Sequence, residues 1–203
     1  MLAMRQSNFE LLRIICMFGV LTSHSLMSMY DLHTPNFSMA NELRVFLMNA
    51  SCLAVNCFVM ISGYFQIRQS WKSFVGLIFP CLFWSIFCTG FALLNAECTS
   101  LFALKNILFP LTETGLWFMK AYFALYLISP LLNSGINSMS DSLLKKNAVL
   151  LIIVDVYIGY MHQSQEVTID GYHLIHFISL YVVSSCLRRF DISRLSKCKL
   201  VVG

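Results

Sequence analysis

Two ionisable side chains, Arg13 and His24, lie inside an apolar stretch near the start of the chain, residues 8–26. Eleven helical residues turn through about 1100°, about 20° more than three full turns, so both side chains share one face, roughly 16 Å apart along the axis. A guanidinium binds phosphate well, and an imidazole can take a proton from a hydroxyl near neutral pH. This spacing predicts that a long phosphate-bearing donor is anchored at Arg13, with its reactive end near His24.

Each of these residues also has a structural explanation. Arg13 can extend its charge to the inner head groups and pair with Glu10, three residues earlier. His24 can be a neutral packing residue that is hydrogen-bonded to a neighbouring helix. Because charged side chains inside a membrane-spanning helix are costly, their occurrence together on one face favours a functional role.

The composition is that of an integral membrane protein, with 58% hydrophobic residues, 12% charged residues and a mean hydropathy of +0.70. Six apolar stretches approach or exceed the roughly 20 residues that a helix needs to cross a bilayer. We therefore predict an all-α fold, a polytopic transmembrane helix bundle of about six spans in a single membrane-embedded domain, residues 1–203. The predicted spans are residues 9–30, 43–65, 73–95, 116–136, 147–161 and 172–188.

The distribution of basic residues predicts the orientation of this bundle. With a cytoplasmic N-terminus, the outer loops hold only Arg44 and Lys105, whereas the inner segments hold most of the other Lys and Arg residues. Both termini are therefore predicted to be cytoplasmic, with a polar inner loop at residues 137–146. This bias accounts for the net charge of +4 without nucleic acid binding. The basic tail, residues 189–203, stops abruptly, so the chain is expected to be truncated.

Other polar residues in the spans are weaker candidates. Trp117 and Tyr122 begin the fourth span at its outer side, where they can anchor the helix at the interface or contact a substrate. Asp155 lies nearer mid-span and can partner a base or an arginine. His173 and His176 share a helical face near an outer end, where we expect them to be solvated. They have no cysteine or carboxylate at ligand spacing, so no metal site is predicted.

The end of the second span carries a further polar group. Asn56 is predicted at mid-membrane, and Ser62, Gly63 and Tyr64 near the level of Arg13. A glycine at this position can end the helix, or it can let a ligand approach the backbone closely.

Several segments in this order resemble the integral-membrane acyltransferase 3 family, and the resemblance covers essentially the whole chain. They are R-x10-H in the first span, then NCFVMISGYF (56–65), LIFPCLFWSIF (77–87), LWFMKAYFALYLISPLLN (116–133) and DGYHLIHFISLYVVSSCLRR (170–189).

The resemblance implies a membrane enzyme that moves an acyl group, usually acetyl, from acyl-CoA to a hydroxyl of a carbohydrate such as a cell-surface polysaccharide. It implies the plasma (inner) membrane of a bacterium, acetyl-CoA as a co-substrate and no tightly bound cofactor. His24 would be the catalytic base and Arg13 part of the donor site. Typical members have more spans, so this chain resembles the first part of such an enzyme. The other residues implied in the donor site are Asn56, Ser62, Gly63 and Tyr64.

Two other classes of protein stay open from the sequence. One is an inactive, truncated membrane protein. The other is a proton-coupled transporter that relays protons between His24 and Asp155, although the inverted repeats common in transporters are not visible.

Overall fold

The computed structural model describes residues 7–27, 39–95, 105, 117–157 and 174–190, and within these ranges the regular secondary structure is entirely helical. The all-α prediction is therefore confirmed for this part of the chain. The helices are α1 (Ser7–Met27), α2 (Met39–Phe65), α3 (Trp71–Leu94), α4 (Trp117–Ser138), α5 (Asp141–Val156) and α6 (Leu174–Phe190).

Three helices are long and apolar enough to cross a membrane, and they correspond to the first three predicted spans. They are Ser7–Leu26, Asn41–Phe65 and Trp71–Leu94. The described parts of α5 and α6 have 16 and 17 residues, fewer than the roughly 20 residues that a span needs. The six-span bundle is thus supported for its first half only. Large apolar side chains such as Phe18 and Phe79 are exposed, as expected for helices that contact lipid.

The break between α4 and α5 is much shorter than the predicted loop at residues 137–146. Helix α4 continues to Ser138, and α5 begins at Asp141. The side chain of Ser140 caps α5 by accepting a hydrogen bond from the backbone N–H of Leu143. The carboxylate of Asp141 in the first turn also favours helix initiation. The prediction overlooked this cap, so it placed the start of the helix six residues late.

The chain forms two compact units, Met1–Phe65 with Val183–Gly203, and Gln66–Val182. In the first unit, α1 packs along α2. A Cβ atom added at Gly19 would lie 3.0 Å from the Cβ of Ala54, so the two helices approach closely there. The buried Cys16 lies beside Cys57, and neither thiol forms a disulfide with the described residues.

The last turns of α6 also belong to the first unit and hold the end of α2. The hydroxyl of Ser184 donates to the main-chain carbonyl of Met60, and that of Ser185 donates to the carbonyl of Gly63 at 2.8 Å. Both serines are buried. Serine hydroxyls commonly link apolar helices in this way, because the alternative is an unsatisfied polar group.

In the second unit, Pro130 interrupts the hydrogen bonding of α4. Proline has no N–H, so the carbonyl of Tyr126 loses its usual helical donor. Two side chains replace that donor: the amide of Gln69 and the hydroxyl of Ser129, each at 2.7 Å. The proline therefore creates an acceptor that attaches the residues before α3 to α4.

The connection Gln66–Ser70 is not helical and runs along α4 towards its N-terminal end. Gln66 donates to the side chain of Asn137, and Gln69 reaches the carbonyl of Tyr126, eleven residues earlier. Gln66 adopts a left-handed backbone conformation with φ of 56°, which turns the chain into this path.

Side chains of α4 and α6 are bonded to the main-chain polar groups of Ile67 and Ser70 in this connection. The N–H of Ile67 donates to the Tyr181 hydroxyl at 2.8 Å, and the Asn133 amide donates to the carbonyl of Ile67 at 2.9 Å. The Tyr181 hydroxyl donates in turn to Asn133 Oδ1 at 2.7 Å, which closes the ring. The Tyr126 hydroxyl accepts from the N–H of Ser70 and donates to its carbonyl. Main-chain polar groups outside a helix need such partners when the protein shields them from water.

Candidate functional site

The predicted stripe of Arg13 and His24 lies on one continuous helix, α1. Cys16 is the buried residue of this helix, at its contact with α2. Helical geometry places Arg13 about 60° and His24 about 80° around the axis from Cys16, in the same direction. Both side chains therefore flank the packed seam between α1 and α2 on one side.

Arg13 forms the predicted ion pair with Glu10 and also packs against the end of α2. Its guanidinium carbon lies 5.9 Å from the ring centroid of Phe65, and its side chain is 41% exposed. The predicted proximity to the end of the second span is confirmed, since Phe65 follows Tyr64 directly. The structural and the functional roles of Arg13 are compatible, because its side chain stays partly exposed beside Glu10.

The side chain of Tyr64 belongs to an aromatic cluster at this end of the helix pair. Its ring centroid lies 4.9 Å from that of Phe9 and 5.3 Å from that of Phe65. The Ser62 hydroxyl donates to the carbonyl of Phe58 within α2. The contacts among the three rings therefore hold Tyr64 and Phe65 in place beside Arg13.

Gly63 does not end α2, since the helix continues to Phe65, so the interpretation as a helix terminator is wrong. The residue is buried, and its carbonyl accepts the Ser185 hydroxyl. The backbone is approached closely at Gly63, and the group that approaches it is the Ser185 side chain of α6.

The positions of Asn56 and His24 follow from the antiparallel register of α1 and α2. The contacts of Cys16 with Cys57 and of Gly19 with Ala54 place Asn56 between the levels of Arg13 and His24. His24 lies in the last turn of α1, is exposed and has no hydrogen bond to the described residues. The predicted donor-site residues are thus spread along one helix pair, with His24 at the far end from Tyr64.

The second unit contains the residues predicted to contact a substrate. Trp117 begins α4, but its side chain lies outside the described part of the structure. Tyr122 stacks on Phe118, with ring centroids 5.6 Å apart. It also lines a cavity of about 350 Å³, which is formed by Ile67, Arg68, Ser73, Gly76, Leu77, Tyr122 and Tyr126.

Asp155 and His176 form a buried pair between α5 and α6. Asp155 Oδ2 lies 2.6 Å from His176 Nδ1, and the two residues are 9% and 4% exposed. The expectation that Asp155 can partner a base agrees with this contact. The prediction that His176 is solvated is wrong, because the residue is buried. The physical reason is that the face of α6 that carries His176 turns towards α5. His173 lies outside the described residues.

Sequence reasoning missed two features of the second unit. A signal for the Asp155–His176 pair was available, an acidic residue in one apolar segment and histidines in the next, because ionisable residues inside spans commonly pair with one another. Arg68 was counted only as an inner basic residue, and nothing in its spacing indicates the cavity. Within the described ranges, no cluster of three metal-ligating side chains occurs.

The chain was compared with protein-family models, curated proteins and solved structures. The model described as "Acyltransferase domain" of the acyltransferase 3 family matches residues 6–194. Neither the curated proteins nor the solved structures gave a match. The family match covers nearly all of the chain, including the R-x10-H stripe on α1 and every segment that carries the resemblance. The chain therefore belongs to the acyltransferase 3 family of membrane proteins.

Proposed function

We propose that this protein is a membrane-bound O-acyltransferase that moves an acyl group, acetyl in our proposal, from acyl-CoA to a hydroxyl of a carbohydrate such as a cell-surface polysaccharide. The observation that carries this proposal is the placement of Arg13 and His24 on one open flank of α1, in a chain of this family. An anion-binding group and a proton acceptor held about 16 Å apart suit a donor with a charged end and a reactive end.

The donor binds with its phosphates at Arg13. The guanidinium offers several N–H groups to phosphate oxygens, and its packing on Phe65 limits its motion. The extended arm of acyl-CoA then follows the flank of α1 past the level of Asn56. This places the thioester close to His24, while Tyr64 and its aromatic neighbours form the wall at the phosphate end.

His24 acts as the general base in this proposal. Its imidazole accepts the proton of the acceptor hydroxyl, whose oxygen attacks the thioester carbonyl. The new C–O bond forms, the C–S bond breaks, and the proton passes from the imidazole to the departing thiolate. Transient acylation of His24 is the alternative route, and it has the same overall balance.

The remaining assignments extend this proposal. We place the protein in the plasma membrane of a bacterium with cytoplasmic termini, so that acyl-CoA reaches Arg13 from the side on which it is made. Roles for Trp117, Tyr122 and Asp155 in binding the acceptor stay predictions. The transporter alternative gains no support from Asp155, because its carboxylate is paired with His176 rather than with His24.

The replacement His24→Ala tests the proposal. We expect acetyl transfer from labelled acetyl-CoA to polysaccharide in membranes to fall by about 10²–10⁴-fold, the usual contribution of a general base. The matched control is Ile15→Ala, an exposed residue on the opposite side of α1. Both variants should insert into the membrane in equal amounts. Unchanged transfer by a correctly inserted His24→Ala protein would refute the role of His24.

A further inference from the structure

The cavity of about 350 Å³ in the second unit has a cationic wall that the proposed chemistry does not use. We propose that it binds a phosphate ester, with the phosphate at Arg68 and a neighbouring hydroxyl or amine group of the ligand near Gly76. Arg68, the first turns of α3 and the middle of α4 form this site, which we call the Arg68 cavity.

The charge of the Arg68 cavity favours an anion. Arg68 is exposed and forms no ion pair or hydrogen bond with the described residues, and none of the residues that line the cavity is acidic. A guanidinium presents a planar fork of N–H donors that matches two phosphate oxygens at once. An open arginine beside polar hydroxyl groups is therefore suited to a phosphate.

The backbone on both sides of Arg68 is fixed. The N–H and carbonyl of Ile67 are bonded to Tyr181 and Asn133, and those of Ser70 to the hydroxyl of Tyr126. Gln69 is attached to α4 through its side chain. Arg68 thus extends from a segment that is already ordered, which lowers the entropic cost of binding a ligand.

The α3 wall of the cavity supplies space and an acceptor. A Cβ atom added at Gly76 would meet nothing within 4 Å, so the cavity is open beside this residue. Pro80 lies four residues later in the same helix and has no N–H, so the carbonyl of Gly76 lacks its usual helical donor. A hydroxyl or amine next to the phosphate can satisfy such a carbonyl.

The size and the surroundings of the cavity limit which ligands it can bind. Ligand sites commonly range over about 300–1,000 Å³, so this cavity suits a phosphate with one short substituent, or one end of a longer molecule. The neighbouring Trp71 is exposed and stacks on Phe74, and Lys72 is also exposed, as at a membrane interface. The phosphate can therefore come from a phospholipid head group or from a soluble phosphate ester such as CoA.

Direct binding measurements on the full chain in phosphatidylcholine nanodiscs test this inference. One arm adds phosphatidylglycerol and counts the retained lipid by native mass spectrometry. The other arm titrates CoA and follows binding by calorimetry. We expect Arg68→Gln to weaken binding in at least one arm by about tenfold, as the loss of a charge-assisted contact does. Gly76→Leu should weaken the same arm, because its side chain fills the cavity.

Each variant has a matched control on the same segment of the chain. Lys72→Gln removes the same charge next to the cavity, and Gly90→Leu adds the same side chain to α3 at another open position. Weaker lipid binding by Arg68→Gln and Gly76→Leu identifies a site for a lipid head group. Weaker CoA binding by the same variants identifies a site for a soluble phosphate ester. Equal binding by wild type and Arg68→Gln in both arms would overturn the inference.

The CoA arm alone rests on the proposed function. If CoA binding depends on Arg68 but His24→Ala still transfers acetyl, the cavity is supported and the proposed base is wrong. If His24→Ala is inactive but no phosphate probe depends on Arg68, the proposed function stands and this inference fails.

Discussion

In the first unit, α1 and α2 pack through small side chains, Gly19 against Ala54 and Cys16 beside Cys57, and the ionisable Arg13 and His24 lie on the open flank of this contact. In the second unit, Asp155 and His176 are buried and bonded to each other. In the same unit, polar side chains hold the non-helical connection Gln66–Ser70. Apolar helices can therefore carry ionisable groups either on an accessible flank or buried in a pair within the fold.

This difference separates two kinds of histidine. His24 has no described hydrogen-bond partner, and replacing it should change chemistry more than stability. His176 is bonded to a carboxylate, so replacing it or Asp155 should destabilise the protein. Position within a predicted span does not distinguish the two residues, but the presence of a bonded partner does.

The largest expected effect on stability is that of Asp155→Ala. The variant removes the carboxylate that contacts His176 Nδ1, and breaking a buried pair in this way costs about 3–5 kcal/mol. Unfolding of the protein in detergent micelles measures the change. His24→Ala is the control, with an expected change within about 0.5 kcal/mol because the residue is exposed. Equal stability of the two variants would remove the distinction between the units.

A smaller loss is expected for Tyr181→Phe. The change leaves the ring in place but removes the hydroxyl that accepts from Ile67 and donates to Asn133. Leaving such groups unsatisfied costs about 1–3 kcal/mol. The same unfolding measurement checks it, with Tyr157→Phe on an exposed tyrosine as the control. A change no larger than that of the control would show that water replaces the hydroxyl.

The smallest effect is expected for Ser185→Ala in the first unit. The change removes a single neutral hydrogen bond, from the serine hydroxyl to the carbonyl of Gly63, so the cost should be about 1 kcal/mol. Ser142→Ala, at an exposed position of α5, is the control. A loss as large as that of Asp155→Ala would mean that the first unit also depends on polar bonds.

The sequence predicts the long apolar helices well. The first three spans were predicted at residues 9–30, 43–65 and 73–95, and the helices occupy residues 7–27, 39–65 and 71–94. A helical face is also predictable, because the positions of Arg13 and His24 on α1 follow from the number of residues between them. Such features depend only on composition and local geometry.

Features that depend on helix rotation and on contacts between distant residues were not predicted. Asp155 and His176 are 21 residues apart, and no local spacing specifies that α5 and α6 turn these side chains towards each other. The hydrogen bonds between the connection Gln66–Ser70 and α4 likewise join residues that are far apart in sequence. Ser140 is different, since its cap is a local signal that the prediction overlooked.

The proline in the middle of α4 has a consequence for solvent exchange. The carbonyl of Tyr126, left without its helical donor, holds Gln69 and so keeps residues 66–70 against α4. In this position the N–H groups of Ile67 and Ser70 donate to tyrosine hydroxyls instead of water. Hydrogen–deuterium exchange should therefore find these two amides as slow as those of a helix interior. Rapid exchange at both would show that the segment detaches from α4 on that timescale.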